Sequence, residues 1–279
     1  MVHWTRETPW RQGLLLTDEA IGALGLAHPA FPKCTVAIVA SHDCDLVQVV
    51  DKEPKVEVVV GRRIDRSDGN YTHAKNSRTL HIDIEGHEPI VAEFVATDKQ
   101  SLQKSLLVDF VPAAGRRLSP ASKATIQRWL ASRYLRAGFP DEFERRLVVE
   151  TKLADRIAKA VKPHGKLITA VLFDVDDGED QSRAGPDDVY ILDITLLHSV
   201  EPDQNAAELA ADTAVQFIRE AFEKKLLDAT SGRWQQIELR YCDVTSEEAL
   251  SYRQFTLMRR WRFDYISLAA EPQQTMAAE

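Results

Sequence analysis

The sequence predicts an α+β protein, and three features of its pattern indicate this class. Short apolar or alternating runs separated by turns fill residues 1–118, and two amphipathic helical runs fill residues 119–165. In residues 166–279, strand patterns flank one long helical pattern. We therefore expect three domains with these bounds: a small β-barrel or sandwich, a helical connector, and a C-terminal α+β layer.

The first domain contains five predicted strands. A glycine turn precedes the first, and the second is a β-branched run that ends before Ser41. Apolar and polar residues alternate in the fourth, as in a strand with one buried face. The third is expected to end at Gly61, and a polar loop follows it. The predicted strands are residues 13–17, 35–40, 55–60, 77–85 and 89–95, with a helical turn at 18–26 and a short helix or strand at 101–108.

Capping residues mark the helices of the connector. Ser119 and Pro120 suit the N-cap and first position of a helix that Gly138 ends, and Pro140 begins a second helix that Pro163 ends.

The C-terminal layer is predicted as strand, strand, helix, strand. Its predicted elements are strands 167–173, 189–197 and 237–242, a helix at 206–227, a short helix capped at 246–248 and a final strand at 261–268.

Composition indicates a soluble globular protein of the cytoplasm. Hydrophobic residues make up 44% of the chain and charged residues 28%. No apolar run reaches the roughly 20 residues that a membrane span requires, and the N-terminus has no signal-peptide pattern. Three cysteines without paired spacing favour a reducing compartment. We therefore expect a cytoplasmic protein that does not contact a membrane.

The net charge of −8 is unevenly distributed. Residues 119–165 contain 10 Lys or Arg against 5 Asp or Glu, whereas residues 166–279 contain 11 against 22. A basic helical segment next to an acidic one indicates either ion pairs within the chain or the docking of a charged partner.

Five polar or reactive residues directly follow the second predicted strand: Ser41, His42, Asp43, Cys44 and Asp45. The ends of strands hold side chains rigidly while leaving them accessible, which makes this segment the main candidate site. His42 suits acid–base chemistry, and Cys44 is a possible nucleophile with that histidine two residues away. The carboxylates suit a divalent cation. Alternatively, the aspartates shape a turn and the cysteine is a small buried residue.

Arginine and lysine residues form a second candidate group, because guanidinium and ammonium groups bind phosphate. Arg133 is unusual among them, since it lies seven residues after Ile126 on the apolar face of the first connector helix. Such a residue either pairs with a buried acid or points into a site. The alternative for the group is surface charge with ion pairs inside the chain. The predicted nucleic-acid-binding residues are Arg62, Arg66, Lys75, Arg78 and Arg133.

The order of four motifs resembles that of the PemK/MazF-like toxin family. Arg11-Gln12-Gly13, Ser41-His42-Asp43, the strand at 56–60 and Thr97-Asp98-Lys99 follow one another as the corresponding motifs do in that family. The resemblance covers residues 10–108 and implies an SH3-like β-barrel. Family members that cut RNA have an arginine just before the second strand, where this chain has Lys33-Cys34.

The resemblance implies a bacterial toxin-like or antiviral defence protein that acts as an endoribonuclease. RNA, an antitoxin or another protein, and a second copy of the chain are the expected partners. The candidate catalytic residues are His42, Asp43, Cys44, Asp45 and Arg63. Two alternatives stay open: a non-catalytic module for nucleic-acid or ligand binding and oligomerisation, and a metal- or cysteine-dependent enzyme centred on residues 42–45. The sequence identifies no cofactor.

Overall fold

The structure, a computed structural model, describes residues 4–134, 138–179, 181 and 183–264. The chain divides into two units: unit 1 comprises Met1–Ser67 and Ser77–Tyr134, and unit 2 comprises Asp68–Asn76 and Leu135–Glu279. The helical segment predicted as a connector is therefore shared between the units. The predicted α+β class is confirmed, with seven α-helices and two sheets among the described residues.

Unit 1 is built on a five-stranded antiparallel sheet that curls into a half-barrel, with strand order β1-β2-β4-β3-β5. Apolar side chains from its first two strands, from the helix before them and from the chain on either side of that helix form its core, which includes Trp10, Leu26, Val39 and Val58. Its elements are α1 (Asp18–Ala23), β1 (Thr35–Val39), α2 (Asp43–Leu46), β2 (Lys55–Ile64), β3 (Thr79–Gly86), β4 (Ile90–Gln103), β5 (Arg116–Arg117) and α3 (Pro120–Ser132).

The prediction that the third strand ends at Gly61 is wrong, because β2 continues to Ile64. A Cβ atom on Gly61 would lie 2.2 Å from the carbonyl oxygen of Glu93 on the neighbouring strand β4. Glycine is thus needed for the close approach of two strands at a bulge between Val59 and Gly61. The strand β4 likewise extends the predicted strand at 89–95 through Gln103, and a 3₁₀ turn, Lys104–Leu107, follows it.

The predicted first strand is reduced to a single bridge between Leu15 and Ile38. Gly13 has a φ of +82°, so the backbone turns just before this bridge. Backbone amides still connect the segment to β1, since Gly13 donates to Val39 at 2.8 Å and Leu16 donates to Ala37 at 2.9 Å. The segment therefore covers β1 without forming a full ladder.

Unit 2 has a four-stranded sheet with the order β8-β7-β6-β9, in which β7 and β8 are parallel. A long helix connects these two strands, as the predicted strand, strand, helix, strand pattern requires. The described elements are α4 (Asp141–Glu144), α5 (Leu153–Val161), β6 (Ile168–Val175), β7 (Tyr190–His198), α6 (Gln204–Leu226), β8 (Ile237–Ser246), α7 (Tyr252–Leu257) and β9 (Arg259–Trp261).

Two predictions near the C-terminus need correction. The short helix expected to be capped at 246–248 begins instead at Tyr252, because Ser251 and Gln254 form a reciprocal capping box. The final strand predicted at 261–268 is observed as Arg259–Trp261, and its last four residues lie outside the described part of the chain.

The second predicted helix of the connector is interrupted. After α4, residues Arg145–Glu150 form a π-helical turn, and Lys152 adopts a left-handed conformation with φ of 57° before α5 begins. The hydroxyl of Thr151 donates to the carbonyl oxygens of Arg146 and Leu147 at 2.9 and 3.2 Å, so a side chain occupies the acceptors that a continuous helix would use.

The segment Asp68–Asn76, predicted as part of a polar loop of the first domain, belongs to unit 2. Two glycines let it approach the chain after α5, since a Cβ on Gly165 would lie 2.2 Å from the Cα of Gly69. Lys75 is fully buried there, and its Nζ donates to the carbonyl oxygens of Gly165 and Ile168 at 2.6 and 2.7 Å. Hydrogen bonds to the backbone thus replace the water that this ammonium loses.

Candidate functional site

Unit 1 contains an open cleft of about 950 Å³. Its walls come from stretches that are distant in the sequence: the chain before α1, the start of α2, the first part of β2, the second half of β4 and one face of α3. The polar and aromatic side chains of the lining are Gln12, Ser41, His42, Asp45, Glu53, Lys55, Glu57, Thr97, Lys99, Ser101, Gln127, Arg133 and Tyr134.

The candidate segment after β1 starts the short helix α2 and does not form a loop. His42 is its N-cap: the Nδ1 atom accepts a hydrogen bond of 3.2 Å from the backbone amide of Cys44. This bond places the hydrogen of the neutral ring on Nε2. The side chain of His42 is exposed and lines the cleft, so Nε2–H is a hydrogen-bond donor available to a ligand.

Asp43 does not line the cleft, and two partners hold its side chain. One oxygen accepts a 2.7 Å hydrogen bond from the backbone amide of Gln12, and the other lies 3.3 Å from Nζ of Lys123. Partial burial opposes ionisation, but the Gln12 amide and the Lys123 ammonium outweigh it and hold the pKa of Asp43 below its usual value. This carboxylate fixes α2 against the chain before α1 and is already occupied.

Asp45 and Cys44 are both exposed, and of the two only Asp45 lines the cleft. The Cys44 thiol is free, and its contact with His42 runs through the backbone amide. The carbonyl oxygens of Asp45 and Gln48 accept hydrogen bonds of 2.6 and 2.9 Å from Nζ of Lys104. Lys104 is fully buried, and this burial lowers the pKa of its ammonium. It holds the C-terminal end of α2, as Asp43 holds the other end.

The cleft carries charges of both signs. Glu57 and Lys99, on neighbouring strands, form an ion pair of 2.8 Å. Lys55 lies two residues before Glu57, and alternate residues of a strand share a face. Arg133 follows α3 as its C-cap and is exposed. Arg133 lines the cleft, and its exposure differs from the apolar environment that the spacing from Ile126 predicts.

Sequence reasoning assigned no function to nine polar or aromatic side chains of the lining, among them five whose local sequence signals differ. The motif Thr97-Asp98-Lys99 pointed to Lys99. The alternation of charges at the start of β2 was a signal for Lys55 and Glu57. Of the remaining two, Gln127 lies on α3 and Tyr134 lies two residues beyond its end; their spacing of seven residues is that of one helix face. These five residues are Lys55, Glu57, Lys99, Gln127 and Tyr134.

Most of the predicted arginines lie outside the cleft lining. Arg62 Nε donates to Glu93 at 2.7 Å, and its guanidinium lies over the ring of Phe31 at 4.2 Å. Arg63 follows on β2, and Arg66 lies beyond the end of this strand; both are exposed, whereas Arg78 is half-buried. The structure therefore brings together His42, Asp45 and Arg133, with Asp43 and Cys44 beside them.

Lys75 requires a correction as a predicted nucleic-acid-binding residue. Its side chain belongs to unit 2 and is fully buried, with Thr72 Oγ1 at 3.0 Å as a further acceptor. Burial lowers the pKa of its ammonium well below the usual value. A phosphate cannot reach an enclosed ammonium, so Lys75 acts in packing.

Arg62 belongs to a partly buried charge cluster that supports a prediction about stability. The second oxygen of Glu93 lies 2.9 Å from Nε2 of His81, whose side chain is 1% exposed. Burial opposes ionisation of Glu93, yet the hydrogen bonds from His81 and Arg62 outweigh it and lower the pKa of the carboxyl. The folded pKa lies below the unfolded one, so this contribution to stability is present above about pH 4.3 and is lost as the pH falls through the folded pKa.

We expect Glu93→Gln to lower the free energy of unfolding at pH 7 by about 1.5–3 kcal/mol, because two charge-assisted hydrogen bonds are lost. Below pH 4 the difference from wild type should shrink. Urea unfolding at several pH values measures both effects. Glu85→Gln is the control, since the pair of Glu85 with Arg117 is exposed and should contribute less than about 1 kcal/mol. A difference that stays constant from pH 3 to 7 would contradict this account.

Within the described ranges, no group of three or more His, Cys, Asp or Glu side chains is arranged to hold a metal ion. In the same part of the chain, no helix is long and apolar enough to span a membrane. Comparison with protein-family models, with curated proteins and with solved structures gives no match to this chain.

Proposed function

We propose that the cleft of unit 1 binds RNA and cleaves its phosphodiester bonds. The observation that carries this proposal is the convergence of three of the motif segments behind the family resemblance on one cleft: Gln12, Ser41-His42 and Thr97 with Lys99 all line it. Arg133, from outside the resembling segment, adds a guanidinium. It supplies a guanidinium, which the position of Lys33-Cys34 before β1 lacks.

Each step of RNA cleavage has a suitable group in the cleft. The 2′-oxygen attacks the adjacent phosphorus, and the bond from phosphorus to the 5′-oxygen breaks, which leaves a cyclic phosphate and a 5′-hydroxyl. The carboxylate of Glu57 takes the proton from the 2′-hydroxyl and returns it to the 5′-oxygen. Nε2–H of His42 and the guanidinium of Arg133 donate to the phosphate oxygens, where negative charge increases in the transition state.

A matched pair of arginine variants tests this function. Arg133→Ala should reduce cleavage of a single-stranded RNA by about 10- to 100-fold, since a charge-assisted hydrogen bond contributes about 1.5–3 kcal/mol. Arg128→Ala should cleave like wild type, because Arg128 lies on the same helix but outside the cleft lining, where it donates to Thr125. Intact RNA under wild-type protein, with and without divalent cations, would exclude the enzymatic function.

A non-catalytic binding module is the second candidate, and the balance of charge in the cleft favours it. Asp45, Glu53 and Glu57 line the same walls as Lys55, Lys99 and Arg133. A cleft of this kind suits a ligand with both charged and polar groups as well as it suits a polyanion. Binding of RNA that depends on Arg133 without any strand cleavage would support this alternative.

A further inference from the structure

We propose that the α3 face of the cleft is a nucleobase subsite, in which Tyr134 stacks on one base and Gln127 hydrogen-bonds to its edge. The inference rests on the proposed function and adds to it the means by which the cleft would select its substrate. It concerns a helix that lies beyond the segment covered by the family resemblance.

The first observation is the exposure of Tyr134, whose side chain is 82% exposed although it lines the cleft. Its backbone amide donates to the carbonyl oxygen of Ala131 at 3.0 Å, so the backbone at Tyr134 continues the helical turn. An aromatic ring at the rim of a concave polar site offers a flat face to a base, and such stacking tolerates any base because each has a π-face.

The second observation is a chain of hydrogen bonds that orients Gln127. The amide nitrogen of Gln12, which is 8% exposed, donates to the carbonyl oxygen of Ala40 at 2.8 Å. The oxygen of Gln12 must then be the acceptor for Nε2 of Gln127, at 2.7 Å. This arrangement leaves the exposed side chain of Gln127 with its oxygen and one N–H for a ligand. An amide that presents one acceptor and one donor matches the edge of a nucleobase.

The third observation is the spacing of these groups. Gln127, Leu130, Ala131 and Tyr134 all line the cleft and follow the i, i+3, i+4, i+7 pattern of one helix face. Seven residues of helix rise by about 10 Å, so Gln127 and Tyr134 lie at opposite ends of this face. The small apolar middle of this face is a surface for a base or ribose, with a hydrogen-bonding group at one end and an aromatic ring at the other.

Binding of a single-stranded DNA oligonucleotide tests the subsite independently of cleavage, because DNA lacks the 2′-hydroxyl that the reaction needs. Fluorescence anisotropy should show that Tyr134→Ala weakens binding about 5- to 100-fold, whereas Tyr134→Phe binds like wild type. Gln127→Leu should reduce the differences in affinity between homopolymers of the four bases. Tyr241→Ala is the control, since Tyr241 is also exposed but lies in unit 2.

Oligonucleotides with abasic sites separate stacking from phosphate binding. They should bind wild type as weakly as the complete oligonucleotide binds Tyr134→Ala, and the variant should not distinguish the two. Equal affinity of wild type for both, or no binding of either, would overturn the subsite. If base-dependent binding occurs without RNA cleavage, the subsite stands and the cleavage proposal fails. If RNA is cleaved but Tyr134→Ala and Gln127→Leu leave affinity and base preference unchanged, the subsite alone fails.

Discussion

Arg146→Met is expected to lower the free energy of unfolding by about 3–5 kcal/mol, the cost of removing one partner from a buried charge pair. Arg146 is 1% exposed, and its guanidinium lies over the ring of Tyr190. The guanidinium donates hydrogen bonds to acceptors from three segments of unit 2. These acceptors are Oε1 of Glu142 at 2.8 Å and the carbonyl oxygens of Gly185, Asp188 and Gln236, each at 2.9 Å.

Methionine replaces the aliphatic part of the arginine side chain and has no guanidinium, so the variant keeps the packing of that part and removes the hydrogen bonds. Hydrogen bonds from Arg145 and Arg146 lower the pKa of Glu142 to about 2. Because the folded pKa is below the unfolded one, the contribution of this pair is complete above about pH 4.3. The loss of stability in Arg146→Met should therefore be equal at pH 6 and pH 8, and urea unfolding of the full chain measures it.

Arg145→Met is a matched control for this variant. Arg145 pairs with the same carboxylate at 2.7 Å, but its side chain is 52% exposed. Exposed pairs contribute about 1 kcal/mol or less, so the control should remain close to wild type. Equal destabilisation by the two substitutions would show that the buried acceptors of Arg146 contribute little.

Arg146 also illustrates which parts of the fold the sequence predicts. The helix α3 follows from Ser119-Pro120, and the pattern of β6, β7, α6 and β8 follows from periodicity, because these signals lie within each element. The burial of Arg146 depends on carbonyl groups about 40 and 90 residues away along the chain. No local pattern distinguishes it from the exposed Arg145 beside it.

The segment Asp68–Asn76 was misassigned for the same reason. Its Asp-Gly-Asn sequence is typical of a surface turn, and turn chemistry does not reveal what the turn packs against. Here Gly69 meets Gly165, which no spacing in the sequence indicates. The prediction that a strand ends at Gly61 failed for a different reason. Glycine usually interrupts a strand, but here it permits close contact between two strands.

The candidate site was partly predictable. His42 and Asp45, which line the cleft, are predicted as candidates because reactive residues directly follow a clear strand, and Arg133 is predicted because a charge on an apolar face is unusual. Gln127 carries no signal of its own, since an exposed glutamine on a helix is common. Its significance comes from the hydrogen bond to Gln12, 115 residues earlier in the chain, and therefore from the tertiary structure.

His42→Ser is expected to reduce RNA cleavage by about 10²–10³-fold, the usual effect of removing one donor that stabilises transition-state charge. Serine is chosen because the imidazole has two roles that must be separated. Nδ1 caps α2 by accepting from the amide of Cys44, and in the proposed reaction Nε2–H donates to the phosphate. Serine is a strong N-cap and retains the first role, so the melting temperature should stay at the wild-type value while cleavage is lost.

Two further variants complete the test of His42. His42→Ala loses the cap as well as the ring, so it should show the same loss of cleavage together with about 1 kcal/mol of destabilisation. His87→Ala should cleave like wild type, because His87 is exposed in the turn between β3 and β4, away from the cleft lining. RNA cleavage that persists in His42→Ser after the same purification would come from another group or from a contaminating nuclease, and the role of His42 would be withdrawn. Loss of cleavage at constant melting temperature would instead show that the reaction depends on His42, the N-cap of α2, which the end of strand β1 holds in place.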